Sequence, residues 1–367
     1  MVRYALILLA AWLALICQPA VSAAEIAIGV ANPLSGPYAA TGARNLLAAM
    51  TAVDHLNEDG GVLGHPVRLV SVDDKCGTAE AVDAAERLVR AGVIMVVGHM
   101  CSHSSLMAAA IYDIAGIVMI SPSSTHPRLT EEGRPNVFRL IGRDDVQGAV
   151  SAGLIAERWP QQRIGIVHDG SVYGRGLAFE TRRALERRMI EIALLERYEP
   201  DQPDYAGLVE RLDDAGIELL YVGGYGPDAG RIVADAREAG LGLQVLGGDG
   251  LGMDEFWAAA GEAGDGTIFS SFGVADGDVL DEVDSAARRA VLSHFAAGGL
   301  GAYAAVELWA AAATRAQTLD AKVLIRSLHH NTFETVRGAV SFDDKGDLRD
   351  AEWAWQVWRL GRKVPLD

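Results

Sequence analysis

The chain has 367 residues, 50% of them apolar, and a formal charge of −17. That length is enough for two domains, each with its own core. The acidic balance argues against nucleic acid as a partner.

Residues 1–23 read as a secretory signal peptide. Arg3 is their only charge, an apolar run follows, and Val21, Ser22 and Ala23 offer a small-residue cleavage site. Cleavage after Ala23 or Ala24 would leave the mature chain in the periplasm. Pro19 and its small neighbours break the apolar run before it becomes a comfortable membrane span. Ile16 is bulkier than the residue that usually precedes a lipidated cysteine, which disfavours Cys17 as an anchor. No later apolar run is long enough to span a membrane.

From there apolar runs alternate with helical patterns. Residues 25–31 read as a strand. Residues 41–58 read as a helix, with Leu47, Met50, Val53 and Leu56 at helical spacing and a stop at Asp59, Gly60 and Gly61. A strand at 67–72 and a helix at 79–91 come next, then strands at 93–97 and 117–120 around a helix at 106–115. The rhythm restarts near Asp145. Helices at 146–158, 175–188, 205–215, 228–239 and near 253–260 alternate with strands at 163–168, 191–195, 219–222 and 243–246. An alanine-rich helix covers 302–317, and 342–348 reads as a strand, a tight turn and a strand. Such alternation predicts an α/β fold of parallel sheets covered on both faces by helices, in two doubly wound lobes. Short connections between the lobes favour a hinge over independent domains.

Two runs concentrate the chemistry. Gly98 to Ser105 and Ser121 to Pro127 each follow a strand and are crowded with hydroxyls and small residues. At neighbouring strand ends they offer backbone N–H groups and hydroxyls to a small anion such as a carboxylate. Cys76 and Cys101 are the cysteines left after export. An even pair in an oxidising compartment reads as a disulfide, with two buried thiols as the alternative. Their spacing is not that of a zinc site, so no metal is expected. Ser102, His99, His168 and Asp169 are residue types that a hydrolase uses, but no serine sits in a Gly-x-Ser-x-Gly elbow. The first strand runs into Asn32, Pro33, Leu34, Ser35 and Gly36 rather than a glycine-rich dinucleotide turn, and there is no Walker loop. Neither an enzyme nor a nucleotide cofactor is expected.

Asn32 to Pro37, Val72 to Cys76, Gly98 to Ser102 and Ile120 to Thr125 form a recognisable series. It continues through Ile166 to Asp169, Tyr173 and Gly174, Gly223 to Pro227, and Asp343 to Leu348. In this order the series resembles the leucine/isoleucine/valine-binding proteins, a branch of the type I periplasmic binding proteins that feed ABC importers. The likeness covers essentially the whole mature chain. It implies two lobes joined by a three-strand hinge, with crossings near Arg143, Phe272 and Asp347. Residues 24–143 with 272–346 would form one lobe, and 144–271 with 347–367 the other.

The same resemblance implies a monomer that closes over an amino acid, branched-chain or otherwise apolar, and delivers it to permease and ATPase subunits. Ser102 and Thr125 would hold the ligand carboxylate. The Ser123 carbonyl and the Thr125 hydroxyl would face its ammonium. Tyr225 would reach the carboxylate from the second lobe. Asp249 stands where the family usually has a glutamate and would pair with the ammonium; its plainer reading is a turn residue among glycines. Met100, Cys101, Tyr173 and Tyr225 would wall the side-chain pocket, with Thr41 at a position where the family often has an aromatic. A sensor of the same fold, reporting an amide or small carboxylate to a signalling partner, is the alternative.

Overall fold

The computed structural model describes residues 24–272 and 299–366. The expected signal peptide lies outside them. Among the described residues no helix is long and apolar enough to cross a membrane.

The first half alternates β1 (Ile26–Asn32), α1 (Ala39–Glu58), β2 (Val67–Asp73), α2 (Thr78–Arg90), β3 (Met95–Gly98), α3 (Ser102–Ala115), β4 (Val118–Ser121), the single turn α4 (Arg128–Glu131) and β5 (Val137–Arg139). Its strands form one parallel sheet in the order β2-β1-β3-β4-β5. The chain then runs through α5 (Asp144–Arg158), β6 (Ile164–His168), α6 (Val172–Glu186), β7 (Ile192–Arg197), α7 (Ala206–Asp214), β8 (Leu219–Gly223), α8 (Gly226–Glu238), β9 (Gln244–Gly247), α9 (Asp254–Ala260) and β10 (Ile268–Phe272). After the undescribed stretch come α10 (Leu300–Ala316), α11 (Ala321–His330), the hairpin of β11 (Phe333–Thr335) and β12 (Gly338–Val340), then β13 (Trp353–Arg359) and β14 (Arg362–Pro365). The second sheet has the order β14-β13-β10-β9-β8-β6-β7. Its β6 to β10 strands are parallel, while β13 and β14 add antiparallel at one edge.

Parallel neighbours require crossovers, and the helices that supply them cover both faces. β1 is buried at every position, which is why it reads as an unbroken apolar run. Ala48, Ala49 and Ala52 of α1 share one core with the alanine-rich α10; Leu88 of α2 and Tyr112 of α3 fill the opposite face. Small residues let these helices lie close to the sheet. In the second unit, Trp358 of β13 is buried against Phe256, Trp257 and Phe269, and its indole N–H donates to the Leu251 carbonyl at 2.9 Å.

Six strands have no counterpart in the sequence reading, the three-residue β11 and β12 among them. β5 is three residues long, too short to show a period. β10 and β13 mix buried with partly exposed positions without clean alternation, and β14 has no buried position at all. The expected hairpin at 342–348 is a single bridge between Phe342 and Leu348. α3 begins at Ser102 rather than at 106, because its first turn is built from hydroxyl residues that carry no apolar periodicity.

Where β5 ends and where the chain approaches β13, the connections are tied together. Asp347 pairs with Arg139 Nε at 2.5 Å and with Arg143 Nη1 at 2.7 Å, and accepts from the Thr130 hydroxyl at 2.9 Å. Arg139 is fully buried, and burial lowers its pKa against the pull of Asp347. Removing one partner would strand a buried charge, which is strongly destabilising.

Candidate binding cleft

Loops at the carboxyl ends of β3, β4, β6, β8 and β9 face one another, as expected where parallel sheets hold ligands. On the first-sheet side, most hydroxyls of the two polar runs are consumed in building the wall. Ser121 Oγ donates to the His99 carbonyl at 2.9 Å and accepts from the Ser124 N–H at 3.0 Å. Ser124 Oγ reaches Ser105 Oγ at 2.6 Å and the Met100 carbonyl at 3.0 Å. His99 is equally structural: its Nδ1 donates to Asp74 at 2.6 Å and its Nε2 lies 3.1 Å from the Tyr112 hydroxyl, all buried. Cys76 and Cys101 form a disulfide with Cα atoms 5.5 Å apart, which joins the Asp74 loop to the start of α3.

Ser102, Ser123 and Thr125 take little part in this network; the first and last are buried and Ser123 is half-buried. Ser102 is the first residue of α3, whose N-cap, Cys101, provides no side-chain bond to the helix. The positive end of a helix of 14 residues is therefore uncapped by side chains. Ser102 Oγ accepts only a long bond, 3.4 Å, from the His126 N–H. Thr125 is buried, with its hydroxyl toward the Asp144 carboxylate.

The opposite side is acidic and aromatic. Asp249 opens a tight turn after β9, and one of its oxygens accepts from Gln147 Nε2 at 2.8 Å and from the Tyr173 hydroxyl at 2.9 Å. That hydroxyl also accepts from the Gly250 N–H at 3.0 Å. Asp249 keeps some exposed surface, yet the protein around it displaces enough water to raise its pKa. Asp144, the first residue of α5, is fully buried, with the Thr125 hydroxyl as its side-chain partner. Its backbone N–H donates to the Thr125 carbonyl at 3.0 Å, which brings the two walls together. Burial pushes its pKa well above the ordinary carboxylate range, against the Thr125 hydrogen bond and with help from the charge of Asp249. Tyr225 lies between Tyr173, with ring centres 5.0 Å apart, and Tyr38 of the first unit, at 4.9 Å. Met100, Cys101, Tyr173 and Tyr225 belong to one packed cluster.

A family model described as periplasmic binding protein matches residues 25–359. The chain belongs to that family. It is 34% identical over 350 residues to the leucine-, isoleucine-, valine-, threonine- and alanine-binding protein of Pseudomonas aeruginosa, covering 92% of this chain and 91% of that one. Identity to the leucine-specific-binding protein of Salmonella typhimurium is 33% over 359 residues, with 98% and 97% covered. The branched-chain amino acid transporter substrate-binding protein of Streptococcus pneumoniae, solved with isoleucine, has a TM-score of 0.82 at 28% identity, over 93% of this chain and 98% of that one. Members of the family are substrate-binding proteins rather than enzymes.

The hydrolase-like residues of this periplasmic binding protein are occupied locally. His168 Nδ1 accepts from the Gly170 N–H at 3.1 Å, and Asp169 accepts from the Ser171 N–H at 2.9 Å. Thr41, on the helix that follows Tyr38, is bonded to Glu255. Asp249 makes no hydrogen bond to Ser102, Ser123 or Thr125; its partners are Gln147 and Tyr173, while Asp144 meets Thr125. Sequence reasoning missed Asp144, Gln147, Tyr38 and Glu255. Asp144 begins a helix beside a second aspartate, and such an acid reads as a capping residue, so its burial was not visible.

Proposed function

We propose that the chain is the extracytoplasmic binding subunit of an ABC importer and that it captures an α-amino acid with an apolar, branched-chain type of side chain. The observation that carries this reading is the opposition of unbalanced charge across the cleft. Asp144 and Asp249 are two neighbouring acids in a buried setting that favours a cation, while the uncapped start of α3 at Ser102 suits an anion. A zwitterion satisfies both ends at once. Its carboxylate would lie at Ser102 and Thr125 with the Tyr225 hydroxyl donating, and its ammonium at Asp249, Asp144 and the Ser123 carbonyl. Met100, the Cys101 backbone, Tyr173, Tyr225 and Tyr38 would surround the side chain.

In this reading the lobes are 24–143 with 272–346 and 144–271 with 347–367, and residues 1–23 are removed on export to the periplasm. The Arg139–Asp347–Arg143 group sits at the hinge. Closure follows from the ligand's higher affinity for the closed form. The closed monomer would then dock on permease and ATPase subunits. The relatives named above, which bind leucine, isoleucine or valine, support the ligand class. Titration calorimetry of the mature protein against the common amino acids tests it. Leucine, isoleucine or valine is expected to bind, and failure of every amino acid to bind removes the proposal.

A further inference from the structure

Helix α1 starts without the usual aids. Its N-cap, Tyr38, makes no side-chain capping bond, and its first turn contains no acidic residue. The missing carboxylate comes from the other unit. Thr41, the third residue of the helix, donates its backbone N–H to Glu255 Oε1 at 2.8 Å and its hydroxyl to Glu255 Oε2 at 2.8 Å. Glu255 lies in the first turn of α9, which Phe256 anchors in the core beneath the second sheet. One helical turn beyond Thr41, Arg44 pairs with Asp254, and Asp254 also receives Lys363 Nζ of β14 at 2.9 Å. Three residues before Thr41, Tyr38 packs on Tyr225 at the cleft.

We propose that Glu255 caps α1 across the cleft, and that this cap forms only in the closed protein and strengthens ligand binding without touching the ligand. The inference rests on the hinged-cleft reading above. A carboxylate that accepts both the N–H and the hydroxyl at position three of a helix does what a capping side chain does within one chain segment. Here its two partners sit on different units, so the bonds break whenever those units separate. The free energy of the cap therefore adds to closure alone. Both groups are half-buried, which leaves each of them a hydrated resting place in the open protein. Glu255 is a positioning residue in this scheme.

The test uses Glu255→Ala, Glu255→Gln and Thr41→Val in the mature chain, with leucine, isoleucine and valine as probes. Glu255→Ala is expected to weaken binding about tenfold, mainly through faster release. Its small-angle scattering without ligand should shift toward a more open particle, with the melting temperature of the ligand-free protein unchanged. Glu255→Gln, which keeps one acceptor, should recover part of the affinity. Combining Glu255→Ala with Thr41→Val should weaken binding by less than the product of the single effects. Unchanged affinity and scattering in Glu255→Ala would overturn the cap, as would an affinity loss matched by an equal loss of ligand-free stability. If the wild type binds none of the probes, the importer reading fails, and the ligand-free scattering of Glu255→Ala still decides the cap: a more open particle supports it and an unchanged one removes it.

Discussion

The two walls of the cleft treat their polar groups in opposite ways. On the first-sheet side, Ser105, Ser121 and Ser124 are bonded to one another and to the loop backbone, and a disulfide pins the same loop. On the second-sheet side, Asp144 is fully buried with only the Thr125 hydroxyl beside its carboxyl group, and the nearby Asp249 has its pKa raised by burial. One wall is a finished scaffold. The other holds charge that is costly without a cation. In the proposed binding mode a ligand ammonium therefore gains more from the second wall than a ligand carboxylate gains from any single hydroxyl of the first.

The strongest way to break this contrast is to neutralise the acids. Asp144→Asn and Asp249→Asn should each weaken amino-acid binding on the order of a thousandfold, because a buried ligand charge would lose its partner. Asp144→Asn should also make the ligand-free protein more stable at neutral pH, since it removes a carboxylate whose pKa is raised by burial. Calorimetry and thermal melting together read both effects. Retained affinity in both variants would remove the acids from the site.

The next effect belongs to the scaffold. Replacing both Cys76 and Cys101 by serine opens a link across a sequence separation of 25 residues and should cost roughly 3 kcal/mol in urea unfolding. Binding per folded molecule should fall much less than in the aspartate variants. An equal or larger loss of affinity would show that the first wall is not rigid without the disulfide.

Asp169 sharpens the same comparison through pH. Burial raises its pKa to about 6, above the unfolded value of about 3.9. The folded state thus binds a proton that the unfolded state releases. The stability this contributes is fully present below about pH 4 and is lost as pH rises through about 6; the span corresponds to on the order of 2–3 kcal/mol. Asp169→Asn should flatten that part of the profile. An unaltered slope would place the titration on another group.

Much of the fold was legible because parallel strands buried on both faces show as apolar runs, and the helices between them show their period. The late strands were not, because Trp353 to Arg359 mixes exposed and buried positions and pairs with a strand some eighty residues earlier. The hydroxyl-rich loops were visible as a site, but the sequence could not divide their serines into those that staple the wall and those that take little part in it. That division is set by which oxygens meet a carbonyl after folding. Thr41 shows the same limit. Its place in the ligand wall came from the family likeness, and its partner, Glu255, lies 214 residues away, beyond the reach of any local pattern.

Neighbouring serines make the smallest test and the most specific one. Ser124→Ala removes the hydroxyl that holds Ser105 and the Met100 carbonyl, leaving buried groups without partners, and should cost about 1–2 kcal/mol in unfolding. Ser123→Ala, one residue earlier, should leave stability and affinity nearly unchanged, because the proposed contact there is the backbone carbonyl and alanine keeps it. The two substitutions delete the same atom from adjacent positions of one loop, so local propensity and loop flexibility cancel between them. A large affinity loss in Ser123→Ala would mean that its hydroxyl, rather than its carbonyl, meets the ligand. A neutral Ser124→Ala would mean that the serine network does not hold the wall, and that the rigidity of this side rests on the disulfide and the buried His99–Asp74 pair.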